Sequence, residues 1–270
     1  MKSNNDINDI SVTKIAVVMA AGKGTRMKSD LPKALYPVCG RPMIEYVLDV
    51  LESVVQKIFV VVGYRGELIR EALSGRAKLQ FVEQTEQLGT GHAVMVCREY
   101  IDKYNGGLLV LAGDCPMVRI ETINKLFDAY YSTQNITDNK PPACILGTAK
   151  KDNPTGLGRI VRDANGEFED IVEERDATPE QRQIKEVNMS YYVFHTPDLL
   201  EALKELKSNN AQNEYYITDT PKILKQKRKK IIALPILKPI ETLGINTVEE
   251  AKIVENTIQN KTTFVPFTES

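Results

Sequence analysis

The sequence predicts an α/β protein with a Rossmann-like, doubly wound, mostly parallel (mixed) sheet and a small β-rich insertion. Short apolar runs rich in β-branched residues at 15–19, 57–62, 79–83 and 107–111 alternate with stretches of helical periodicity, as parallel strands joined by crossover helices require. The first run ends in a turn holding Gly22 and Gly24, at the carboxyl end of a strand, where such sheets bind ligands. Beyond residue 142 the pattern changes to strands around an Asn165-Gly166 hairpin turn.

Composition narrows the partners. With 35 basic and 36 acidic residues the formal net charge is -1, so no global field recruits nucleic acid or membrane, and small molecules are the expected partners. Cys39, Cys97, Cys115 and Cys144 lack any Cys-x-x-Cys spacing, which argues against a zinc site and gives no disulfide framework, as fits a reducing, cytoplasmic setting. Residues 1–13 read as a polar leader without the apolar core of a signal peptide or anchor. No later run approaches the roughly 20 apolar residues of a spanning helix. One large domain is expected over 14–247, followed by a short C-terminal helix and tail over 248–270.

The first strand, 15–19, leads into a candidate phosphate loop. Gly22 and Gly24 can adopt positive φ and let consecutive amide N–H groups converge on anionic oxygens. Lys23, Arg26 and Lys33 add three cations, which suit a triphosphate better than a lone phosphate. The plainer reading is a strand-to-helix connection. The loop lacks the third Gly of the dinucleotide fingerprint and the Gly-Lys-Ser/Thr of the P-loop, so a Rossmann dehydrogenase and a P-loop ATPase both lose ground.

Residues 42–55 read as a helix with Met43, Val47, Val50, Leu51 and Val54 on one face. A strand over 57–62, a helix over 67–73 and a strand over 79–83 follow. Residues 84–93, QTEQLGTGHA, offer uncharged amide, hydroxyl and backbone groups to a nucleobase edge. The alternative is an ordinary start to a helix over 92–100, with Thr90 as its cap and His92 as a capping or packing residue. The fourth strand, 107–111, ends in Ala112-Gly113-Asp114, where a carboxylate can hold Mg2+ or merely cap a helix.

A helix over 120–131 and a strand over 142–148 precede PTGLGRI at 154–160 and the hairpin. The polar stretch 171–188 carries Glu173 and Asn188 near its ends, a carboxylate and an amide suited to sugar hydroxyls and an N-acetyl group; alone it reads as a surface loop. A strand over 190–195, with His195 structural, a helix over 198–207 and a strand over 231–234 complete the alternation. The basic run at 225–230 reads as a solvated helix end. Asn246 can join a carboxylate on Mg2+, and Thr247 caps a last helix to about residue 259.

Gly22, Gly24, Thr25, Arg26 and Met27, then Leu31, Pro32 and Lys33, then Pro37 and Val38 resemble the signature of sugar nucleotidyltransferases. The strings at 84–93, 113–114, 154–160, 171–188, 213–220 and 240–246 follow in the family's order. They narrow the resemblance to N-acetylglucosamine-1-phosphate uridyltransferases, the uridyltransferase part of bacterial bifunctional enzymes. This implies a nucleotide-diphospho-sugar transferase fold with its sugar-recognition part at about 142–220. It implies Mg2+-dependent transfer of UMP from UTP to N-acetylglucosamine-1-phosphate, giving UDP-N-acetylglucosamine and pyrophosphate. The matched positions make Arg26, Lys33 and Asp114 catalytic and Asp114 and Asn246 metal ligands. Substrate contacts fall on Met19, Ala20, Ala21, Gly22, Lys33, Gln84, Gly89, Thr90, Ala112, Gly113, Asp114, Gly158, Glu173, Asn188 and Asn246.

Ala112 stands where an aromatic is common, so only its backbone serves there. The bifunctional enzymes continue into a left-handed β-helix of hexapeptide repeats. No such period follows Asn246, so uridyltransfer alone is expected, with the oligomeric state open. The competing readings are a glucose-1-phosphate uridylyl- or thymidylyltransferase and a catalytically silent nucleotide-sugar sensor. The sensor would dispense with the charge-handling set Arg26, Lys33, Asp114 and Asn246, all of which are present.

Overall fold

The computed structural model describes residues 13–134 and 140–260; most of the leader, and the tail beyond 260, lie outside the described residues. In chain order the first half holds β1 (Ile15–Met19), the short pair β2 (Pro37–Val38) and β3 (Arg41–Pro42), α1 (Met43–Val54), β4 (Lys57–Val62), α2 (Gly66–Ala72) and β5 (Leu79–Glu83). Then come α3 (Thr90–Met95), α4 (Arg98–Ile101), β6 (Gly107–Ala112) and α5 (Ile120–Gln134). The second half holds β7 (Cys144–Lys150), β8 (Gly158–Arg162), β9 (Phe168–Val172), β10 (Glu186–His195), α6 (Thr196–Leu203), α7 (Thr220–Gln226), β11 (Ile231–Leu234) and α8 (Val248–Asn260).

The main sheet runs β11-β7-β10-β6-β1-β4-β5. β1 lies parallel to both β4 and β6, while β10 runs antiparallel between β6 and β7, so the sheet is mostly parallel and mixed. Alternate side chains of a strand face opposite ways, and here both faces are covered. Ile15 and Val17 pack into one apolar cluster and Ala16 and Val18 into the other. This is why β1 reads as a continuous apolar run rather than an alternating one. Each fully buried Val or Ile contributes about 1.5–3 kcal/mol relative to exposure.

The chain leaves β1 for β4 and β5 on one side and returns to β6 on the other. The crevice of such a sheet opens where the strand order reverses, here between β1 and β6. Met19 is in register with Ala112, and the Gly113 N–H donates to the Met19 carbonyl at 3.0 Å. The loops that follow the two strands therefore start side by side.

Three expected elements differ most from what is observed. The helix expected over 92–100 is broken into α3 and α4, because the Cys97 N–H bonds to Val94, three residues back, and tightens the turn. α6 begins at Thr196, since Pro197 is tolerated in a first turn, and it ends at Leu203 rather than 207. β10 starts at Glu186 rather than Ser190, so Asn188 lies within a strand. A bulge between Asn188 and Tyr191, with Ser190 at φ 59°, re-aims that strand. The run at 225–230 begins in the last turn of α7 and is exposed from Gln226 onward, with Lys229 paired to Asp198 at 2.7 Å. Among the described residues no helix is long and apolar enough to cross a membrane.

Candidate active site

A cavity of about 720 Å3 opens at the β1/β6 crevice, and every residue to which the family resemblance assigns substrate, catalysis or metal lines it. Met19, Ala20, Ala21 and Gly22 enter from β1, Ala112, Gly113 and Asp114 from β6, and Gln84, Gly89 and Thr90 from the loop after β5. Gly158, Glu173 and Asn188 form the wall from β8 to β10, while Arg26, Lys33 and Asn246 close the remaining side.

The phosphate loop is built as two short 3-10 turns, Thr25–Met27 and Lys33–Leu35. Gly24 takes φ 66°, and a Cβ there would stand 2.6 Å from Lys33 Cβ, so the glycine lets the two turns close on each other. Gly22, by contrast, does not adopt positive φ; a Cβ there would meet no protein atom within 4 Å. Its requirement is open space above the backbone. Met27 pins the loop from beneath, packed with Val38, Met43 and Val254 of α8. Lys23 does not join the cavity: it lies over the Tyr64 ring, 5.1 Å from the centroid, where the ring face attracts it.

The charged end joins three distant segments. Lys33 Nζ donates to Asp114 Oδ2 and, at 2.8 Å, to Asn246 Oδ1, which also accepts from Arg26 at 3.0 Å. The Ile245 N–H donates to the Asp114 carbonyl at 3.0 Å and draws the two oxygen-bearing segments together. Asn246 is held from the other side, because Glu250 accepts its N–H at 2.6 Å and forms a reciprocal cap with Thr247 at the start of α8. A cationic head thus already sits on a carboxylate and an amide oxygen. That donor set suits a hard divalent ion that keeps waters and takes further oxygens from phosphates. Among the described residues no group of three or more His, Cys, Asp or Glu could hold a metal by itself.

Two buried groups brace this end. Cys115, whose thiol is pushed up by burial and by the Asp114 charge, stays protonated and lies 3.6 Å from Asp114 Oδ1. Glu241 is fully buried, accepts from Thr122 at 2.8 Å and from the Lys238 N–H at 2.9 Å, and is raised by burial. It holds the turn Pro239–Thr242 that leads to Asn246.

At the opposite end, Gly89 at φ 105° precedes α3, and the segment 213–220 docks against it. Gly91 N–H donates to Tyr215 O at 2.6 Å, and Tyr215 N–H to Leu88 O at 2.8 Å. Thr90 is not the helix cap; its hydroxyl accepts from the Ile217 N–H at 3.1 Å. In the third wall Gly158 pairs with Asn188, whose amide donates to Tyr192 at 2.6 Å. Glu173 is raised by burial and by the nearby charges of Asp219 and Asp176. Arg159, 1% exposed, anchors this wall through Glu174 at 2.6 Å, and Arg162 grips Glu186 with two bonds of 2.7 and 2.6 Å.

Sequence reasoning missed Lys151, Glu214 and Glu250, which also line the cavity, and the buried Glu241. Glu214 belongs to the 213–220 segment and Glu250 lies three residues past the capping Thr247, so spacing carried a signal for both. Lys151 and Glu241 carried none, since each depends on how distant loops fold back.

The family model for the MobA-like NTP transferase domain matches residues 16–217. The bifunctional protein GlmU of Streptococcus gordonii is 44% identical over 236 residues, which is 87% of this chain and 50% of that protein. The GlmU of Streptococcus thermophilus is 46% identical over 233 residues, 86% of this chain and 48% of that protein. The GlmU of a Geobacillus species is 43% identical over 255 residues, 93% and 54% respectively. The chain thus spans about half the length of the curated relatives it matches. A crystal structure of UDP-glucose pyrophosphorylase complexed with UDP-glucose superposes with a TM-score of 0.73 at 23% identity, covering 92% of this chain and 99% of that one. The apo form of UDP-glucose pyrophosphorylase gives a TM-score of 0.70 at 21% identity over the same shares. At these identities the two structures establish the fold alone.

Proposed function

The chain belongs to the family of MobA-like NTP transferase domains, and from that premise we propose that it transfers UMP from UTP to N-acetylglucosamine-1-phosphate. The products are UDP-N-acetylglucosamine and pyrophosphate. The observation that carries this reading is the meeting of Lys33, Asp114 and Asn246 at one end of a cavity whose other walls hold Gln84 and Glu173. A charge-handling cluster, an uncharged edge for a base and a carboxylate–amide wall for a sugar are what these two substrates need together. The sugar assignment rests on the resemblance of 171–188.

An oxygen of the sugar phosphate attacks the α-phosphorus of UTP in line; the new O–P bond forms as the bond to the β-phosphate oxygen breaks, and pyrophosphate leaves with the electron pair. The nucleophile is already anionic near neutral pH, so no side chain need remove a proton, and the protein's work is positioning and charge neutralisation. Family members generally use a divalent metal. Asp114 and Asn246 would hold a Mg2+ ion, which supplies Lewis-acid neutralisation of phosphate charge. Arg26 draws the β and γ phosphates, Lys33 stabilises charge gathering around the α-phosphorus, and Gly22 leaves its backbone open to the triphosphate. Glu173 and Asn188 read the sugar. The proposed setting is the cytoplasm, with small-molecule partners only.

The test is pyrophosphate release with Mg2+ across a panel of nucleoside triphosphates and sugar-1-phosphates. Turnover is expected with UTP and N-acetylglucosamine-1-phosphate. Preference for glucose-1-phosphate or for thymidine triphosphate would reassign the substrate, and no release with any pair would leave a sensor.

A further inference from the structure

Gln84 sits at the end of β5, 4% exposed, with its backbone fixed by a 2.8 Å bond from its N–H to Val62 O. Its side-chain amide has two partners. Nε2 donates to the Gly89 carbonyl at 3.1 Å and lies 3.1 Å from His92 Nδ1. The Gly89 carbonyl can only accept, so the amide must present its NH2 group and not its oxygen on that side. Both amide hydrogens are then used if His92 Nδ1 accepts, which requires the imidazole to carry its proton on Nε2. What is left is Gln84 Oε1, for which no donor is found among the described residues, on a residue that lines the cavity.

We infer that His92 is a positioning residue for nucleobase choice: by accepting from Gln84 it fixes the carboxamide with Oε1 as an acceptor toward the base. Uracil carries an N–H donor at position 3 and meets that acceptor, whereas cytosine carries a lone pair there and meets it with repulsion. Without His92 only the single bond to the Gly89 carbonyl resists rotation of the amide, and a rotated amide offers its NH2 instead, which suits cytosine. The inference rests on the proposed reading of this loop as the base site, and it adds the device that sets the base.

Two measurements test it. In the wild-type protein, nitrogen-15 NMR of the imidazoles should show His92 with an unprotonated Nδ1 and a protonated Nε2. The chain has only two histidines, and the signals lost in His92→Asn identify those of His92. A protonated Nδ1 in neutral His92 overturns the inference whatever any variant does. Steady-state kinetics with UTP and CTP should show His92→Ala losing about tenfold of the UTP preference, through KM for UTP at unchanged kcat, as for one lost orienting hydrogen bond. His92→Asn, whose side-chain oxygen can take the place of Nδ1, should restore it. If the wild type prefers UTP and His92→Ala keeps that preference within twofold, the inference fails while the base site stands. A wild type that does not discriminate UTP from CTP removes the base-site reading and the inference with it.

Discussion

Asp114 and Lys33 present the sharpest question at the scale of single residues, because each is the other's partner. The carboxylate holds the ammonium, and the amide oxygen of Asn246 holds it from the other side. A divalent ion held by the same two oxygens, as proposed, would compete with Lys33 and free its charge for phosphate. Asp114→Asn removes the ammonium's counter-charge and would remove the anionic ligand proposed for the ion. Turnover should fall on the order of 10²-fold or more, while thermal unfolding hardly moves, since the side chain is 27% exposed at a cavity rim. Near-normal turnover at ordinary Mg2+ would sink the metal assignment. Lys33→Ala should lower kcat steeply; a change confined to KM would mean the ammonium binds the ground state and transition state alike.

At the scale of elements, the two glycines of the phosphate loop separate conformation from access. Gly24→Ala forces a Cβ into positive φ and against Lys33 Cβ, so the turn carrying Lys33 must shift, at about 1–3 kcal/mol of strain. Both stability and kcat should drop. Gly22→Ala meets no protein atom, so unfolding should be unchanged while KM for the triphosphate rises; equal effects in the two variants would contradict the distinction. The sequence could show that glycines were needed here but not which of the two takes positive φ, because that depends on Lys33 folding back nine residues later. The same limit applies elsewhere. β1 and β4 are legible to the residue because continuous apolar runs of five have little choice but a doubly covered strand. Asn188 was placed at the edge of a loop, although it lies in β10, because the bulge beside it breaks the alternation a strand shows. Lys23 was grouped with the loop's other cations by proximity in sequence, while the Tyr64 ring that holds it is set by a different connection.

For the whole molecule, the carboxylates fall into two sets with opposite linkage to pH. Asp49 and Glu186 are buried enough to lose hydration, yet Arg41 and Arg76 around the first and Arg162 and Thr148 around the second hold them below their usual range. A group lowered in the fold stabilises above its unfolded pKa and loses that contribution as pH falls through the folded value, so these pairs set the acid limit. Asp219 belongs to the other set. Burial first, then the charge of Asp170, pushes it up to about 6 from its ordinary value of 3.8. The fold therefore binds a proton there that the unfolded chain releases; the contribution is complete below the unfolded pKa and is lost as pH rises through about 6. Glu173 and Glu241 lean the same way. Near neutral pH Asp219 is ionised in surroundings that disfavour the charge. Asp219→Asn should accordingly be no more stable than the wild type at pH 4 and more stable at pH 7.5, by about 1–2 kcal/mol given the partial exposure of the group. Melting temperatures measured across that range should diverge through pH 6. Parallel curves for the two proteins, or a variant that gains only in acid, would show that residue 219 does not sit in the low-dielectric, negatively charged environment that its neighbours Asp170 and Asp176 create.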